Sequence, residues 1–203
     1  MSLSKGFTLI ELMVVLAIIG VVMSIVLTNQ STFNKTLILQ NTAYDIALTL
    51  RTAETYGLGS RAVGVTANAG YGVRFQKGTS NSFILFADTS PVASCASPDC
   101  KPGDHVYSSG ADALVQTYTL GNGITVSDFC AYVGASASCA YAHGGSLSSL
   151  DIVFTRPNPD AFISAGASSY SDACLTISSP QGGTRFVSVA SSGEITAGAT
   201  PCQ

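Results

Sequence analysis

The sequence predicts an α+β chain: one long N-terminal α-helix, its apolar first half embedded in a membrane and its second half packed on an antiparallel β-sheet domain. Three observations predict it. From Phe7 to Leu27, Glu11 is the one ionisable residue, and a helix of that span, at about 1.5 Å per residue, is roughly 32 Å long, enough to cross a bilayer core. From Phe33 onward Leu39, Ala43, Ile46, Ala47, Leu50 and Ala53 recur at helical spacing, with Gln40, Asp45, Arg51 and Glu54 mostly elsewhere. Beyond Gly70, short aromatic and branched runs are cut by Gly, Pro, Ser and Asn clusters, the pattern of strands and turns.

The helix is expected to continue through the polar patch Thr28 to Thr32, where side chains compete for backbone hydrogen bonds. No proline breaks it, so Gly20 and Ser24 are the candidate flexible points, and Tyr56-Gly57-Leu58-Gly59 ends it. Gly70–Phe75 and Ser82–Ala87 read as a hairpin across Gln76–Asn81. Ser90 to Ser109 reads as a loop. Leu114–Leu120 and Ile124–Val126 read as strands around Gly121-Asn122-Gly123, and a second loop is expected from Cys130 to Gly145. Leu150–Phe154 and Ala161–Ile163 flank a proline-rich turn, Ala173–Ile177 pairs with Arg185–Val189, and Ser191–Ile195 turns into a last short strand. The expected organisation is residues 1–6 as a leader, 7–29 as the membrane helix, 30–57 as its amphipathic continuation and 58–203 as a β-rich domain.

Charged residues are only 10% of the chain, against roughly 25% in ordinary soluble domains. The formal net charge is −3, and Arg74, Lys77, Lys101, Arg156 and Arg185 are scattered along the domain. Such a balance argues against a broad nucleic-acid footprint.

The block Lys5-Gly6-Phe7-Thr8-Leu9-Ile10-Glu11, followed by the apolar run, resembles the N-terminus of type IV prepilins and type II secretion pseudopilins. A secretory signal would place its cleavage site behind the apolar region, after small residues, and nothing from Ser24 to Asn34 reads so. The resemblance implies the pilin fold and no cofactor. It implies cleavage between Gly6 and Phe7 by prepilin peptidase, N-methylation of Phe7, and retention of Glu11 for assembly. Implied partners are other pilin or pseudopilin subunits, an inner-membrane assembly platform and inner-membrane lipids. The implied location is the bacterial inner membrane, single-pass with a periplasmic domain, then a periplasmic or extracellular filament. The final half also resembles minor pseudopilins of the GspH and FimT type, on the arginine-bearing strand and glycine turn from Arg185 to Ile195.

Glu11 requires a reason, because a charge near the centre of a membrane helix costs about 2.5–3.5 kcal/mol, though less near an end. One account is local: after cleavage the carboxylate lies one turn from a free amine, at the positive end of the helix dipole. The sharper account pairs it with the Phe7 amine of a neighbouring subunit, which would set the register of addition.

The six cysteines Cys95, Cys100, Cys130, Cys139, Cys174 and Cys202 all lie beyond the membrane segment and read as an oxidising compartment. Six thiols can pair in many ways, and the spacing favours neighbours: Cys95 with Cys100, Cys130 with Cys139, Cys174 with Cys202. Neither paired C-x-x-C nor a His-x-x-x-His grouping points to zinc, so no metal is expected. Asp99, Asp104, Asp151 and Asp160 lack the spacing of a calcium loop and read as solvated loop acids. His105 and His143 read as exposed loop residues, and no catalytic or phosphate-loop motif occurs. The expected function is a structural, minor subunit of a type IV pilus or secretion pseudopilus. The alternatives are a tip-located adhesion or DNA-binding module and, behind both, a membrane-anchored enzyme.

Overall fold

The structure is a computed structural model that describes residues 6–59, 61–64, 69–90, 103–166 and 168–202, with backbone alone over 28–34. Its elements are α1 (Leu9–Leu58), β1 (Gly70–Gln76), β2 (Ser82–Asp88), β3 (Ala113–Thr119), β4 (Thr125–Val133), β5 (Ser136–Cys139), β6 (Ser149–Phe154), β7 (Ala161–Ala165), β8 (Ser168–Tyr170), β9 (Asp172–Ser178), β10 (Thr184–Ala190) and β11 (Ile195–Gly198). This is the α+β fold the sequence predicts. The chain divides into two compact units, 1–38 and 39–203.

Over Leu9–Leu27, in the first unit, the helix is apolar on every side but for Glu11. No part of Leu9–Leu27 is buried within the structure, the composition of a helix made for lipid or for other apolar helices rather than for water. It runs unbroken through Gly20 and Ser24, whose hydroxyl returns to the Gly20 carbonyl at 2.9 Å.

In the second unit the strands form two antiparallel sheets rather than one. Their orders are β3-β2-β1-β6-β7-β8 and β11-β10-β9-β4-β5. The remaining length of α1 buries Leu39, Ala43, Ile46, Leu50 and Ala53 in one core with Tyr71, Val73, Phe75, Leu85, Phe129, Ile152 and Leu175. That stripe is the helical spacing of the sequence turned inward. Gly57 is buried, and a Cβ there would overlap the Phe154 carbonyl. It is therefore a close-approach residue that seats the last turn against β6, and not simply a terminator. Arg51 fastens the opposite side, reaching Glu54 at 2.8 Å and the carbonyls of Gly193 and Ile195 at 3.3 and 3.4 Å.

The expected loop from Cys130 to Gly145 is corrected. β4 runs on to Val133 and turns into β5, with Cys130 opposite Cys139. β5 is Ser-Ala-Ser-Cys, small residues without an apolar alternation, so pairing with β4 and not local pattern makes it a strand. β6 is buried at all six positions, as befits a central strand covered on both faces. The disulfides Cys130–Cys139 and Cys174–Cys202 are formed, while the expected pairing of Cys95 with Cys100 lies outside the described residues.

Both faces of the six-stranded sheet are covered. One carries the core, and the other presents Arg74, Ile84, Phe86, Asp88, Asp151, Val153, Phe162 and Ser164 by strand alternation. Residues 103–112 lie across this outer face. Tyr107 packs edge-on to Phe86 at 5.0 Å, and His105 stacks on Phe162 at 3.8 Å. Gly72 makes this possible, since a Cβ there would meet Val153 and Phe86 at 2.7 and 2.9 Å.

Candidate functional site

At the N-terminal end, Phe7 is 82% exposed and the helix begins two residues later. The Thr8 hydroxyl accepts the Glu11 amide at 3.3 Å, which makes Thr8 the N-cap and puts Glu11 in the first turn. Thr8-Leu9-Ile10-Glu11 has the spacing of a capping box, a signal present in the sequence that its reading passed over. Capping fixes where the helix starts and hence how far the acid stands from Phe7. The Glu11 side chain is exposed among apolar neighbours.

Within the domain, the polar groups gather on the outer face. Asp151 is fully buried and takes Arg74 through both carboxylate oxygens, at 2.9 and 3.2 Å. Burial pushes its pKa up to about 7 against the pull of Arg74. Asp88, also fully buried, accepts the amides of His105 at 2.8 Å and Asp104 at 3.3 Å. Burial raises it to about 7, and the nearby Asp112 and Asp104 charges add to the rise. Asp112 accepts Thr89, Ser90 and Ser108 amides and the Ser90 hydroxyl, at 2.6 to 2.9 Å. Together these carboxylates stitch the segment 103–112 to the end of β2.

Of the acids weighed for calcium, Asp104 approaches Asp88 and Asp112, Asp151 belongs to Arg74, Asp160 lies at the start of β7, and Asp99 is outside the described residues. The Asp88–Asp104–Asp112 group spends its oxygens on backbone amides, the work of a loop clamp. A further group, Asp128 with Cys130 and Cys139, offers no thiolate because the two sulfurs are bonded to each other. His143 is exposed as expected, but His105 is not: it is partly buried against Phe162, and burial lowers its pKa. Sequence reasoning missed Asp88, Asp112 and the Arg74–Asp151 pair because their partners lie far away along the chain.

Among known proteins, residues 1–27 match the prokaryotic N-terminal methylation motif. No curated protein and no solved structure matches the chain. The motif implies processing by prepilin peptidase and assembly with other pilin subunits, and its family is structural rather than enzymatic. With an apolar helix behind it, the motif also points to anchoring in a membrane. By this methylation motif, carried on an apolar helix and followed by an α+β domain, the chain is similar at its N-terminus to the type IV pilins and pseudopilins.

Proposed function

We propose that the chain is a minor structural subunit of a type IV pilus or type II secretion pseudopilus. It is cleaved between Gly6 and Phe7, methylated at the Phe7 amine, held in the inner membrane by residues 7–29, and drawn from there into a filament with the domain outside. The observation that carries this reading is the methylation motif over residues 1–27, on a helix apolar on all sides except for one acid in its capped first turn. In a bundle of such helices Glu11 meets the methylated amine of the next subunit, and each charge offsets part of the other's burial penalty. The bonded cysteines support a domain that matures outside the cytoplasm. The glycine turn behind the minor-subunit resemblance is built into the fold: Gly193 has φ 83° and a Cβ there would overlap the Pro159 carbonyl.

Nucleic-acid binding has less support. Arg74 is committed to Asp151, and Lys77 donates to the Gly145 carbonyl at 3.0 Å while lying over Tyr141. The test is mass spectrometry of the chain recovered from membranes and from sheared filaments. The expected N-terminus is N-methylated Phe7 in both fractions. A mature chain that keeps Met1, or filaments that contain none of it, overturns the reading.

A further inference from the structure

A pocket of about 550 Å³ opens at the β7–β8 end of the outer face. Ser164 and Ser169, opposite one another in the β7–β8 register, both line it; Ser164 is only 7% exposed and Ser169 is exposed. His105 and Phe162, stacked at 3.8 Å with planes 9° apart, form one side. Asp160 and Ser192 also line it, where the Ala161 amide donates to the Ser191 carbonyl at 2.9 Å and Gly193 admits Pro159. Among the described residues, none of these serine hydroxyls is hydrogen-bonded to protein, and neither is the Asp160 carboxylate. It is an open depression in which Asp160, Phe162, Ser169 and Ser192 are exposed and Ser164 is buried, combining an aromatic pair with several polar groups.

The lining selects the ligand class. Among the described residues no lysine or arginine lines the pocket, while Asp104 and Asp160 do, and an anion would meet like charge from them. An apolar guest would strip water from the serine hydroxyls and give nothing back. An ammonium suits the acids but only donates, leaving the hydroxyl protons of the serines and any N–H of the neutral His105 ring without acceptors. A ligand that donates and accepts at several points and also has an apolar face satisfies all of them.

We propose that this pocket binds a neutral pyranose, one sugar unit of a glycan chain. Ring hydroxyls donate to Asp160 and exchange hydrogen bonds with Ser164 and Ser169, while the C–H face of the ring lies against the Phe162 side. The inference goes beyond filament membership and does not depend on which filament the chain serves.

The test uses the full chain in a polyoxyethylene detergent, so that no sugar-based detergent competes. Saturation-transfer NMR is run with methyl β-galactopyranoside, N-acetylglucosamine and maltose, and with putrescine and inorganic phosphate as charge probes. At least one sugar is expected to receive saturation, with putrescine and phosphate silent. Asp160→Asn and Ser164→Ala are expected to weaken that sugar by about fivefold or more each, the loss of roughly one hydrogen bond. Circular dichroism and melting temperature should stay unchanged, which separates lost binding from lost folding. Silence from all three sugars, binding unaltered in both variants, or putrescine binding in place of sugar overturns the proposal. None of these results bears on whether the N-terminus is processed.

Discussion

Gly57 and Gly20 sit in the same helix and should answer the same substitution differently. Alanine improves a helix interior over glycine by about 1 kcal/mol. At Gly20 nothing lies within 4 Å of the new methyl group, so that gain is unopposed. At Gly57 the methyl would overlap a backbone carbonyl that cannot swing aside, and overpacking of this kind costs about 1–3 kcal/mol. Gly57→Ala is therefore expected to lower the denaturation midpoint of the domain and Gly20→Ala to leave it in place, as urea titrations of the full chain would show. Equal midpoints would mean that α1 can shift off β6 at no cost.

At the scale of elements, the segment 103–112 depends on two buried acids, and its hold should vary with pH. Asp88 titrates near 7 in the fold and at about 3.9 in an unfolded chain. Between those values the native state keeps a proton that the unfolded chain has released, so this group's stabilisation is complete below about pH 4 and is lost as pH rises through 7. Asp151 acts in the same direction, with Arg74 opposing it. The groups facing Asp88 are Asp104, Asp112 and the backbone of His105. Thermal melts should therefore show stability falling on the order of 1 kcal/mol or more from about pH 5 to about pH 8, with a shallower slope in Asp88→Asn. A flat profile in the unaltered chain would contradict the assignment.

How legible these elements were in sequence follows from the range of their contacts. The stripe Leu39 to Ala53 and the β9–β10 pair were readable because each rests on a local repeat or a short turn. β5 was not, because Ser136–Cys139 is a strand only by virtue of its partner. The outer-face clamp was also hidden, since Asp88 acts on amides at 104 and 105 and Arg74 on an acid at 151. The N-terminal motif was the most legible part, because its glycine, phenylalanine and glutamate stand at fixed short offsets.

For the whole molecule, the two units answer to different media, and one substitution should separate their roles. Replacing Glu11 by alanine removes a charge whose insertion penalty is at most about 2.5–3.5 kcal/mol, so retention in the membrane should not fall. Assembly should fall, because an amine left without its acid in an apolar bundle costs about 3–5 kcal/mol, enough to cut incorporation more than about tenfold. Quantitative immunoblots of membrane and filament fractions distinguish the two. Equal incorporation would leave the acid with a merely local role.

The strand orders of the two sheets interleave along the chain: β1 to β3 belong to the first, β4 and β5 to the second, β6 to β8 return to the first, and β9 to β11 complete the second. A polypeptide emerging from its N-terminal end thus lays down two unfinished sheets before it can close either. β1 must wait for β6, and β4 for β9, with bare edges in the meantime. Each sheet therefore closes only through contacts between strands far apart along the chain, which raises the loop-closure entropy that folding has to overcome.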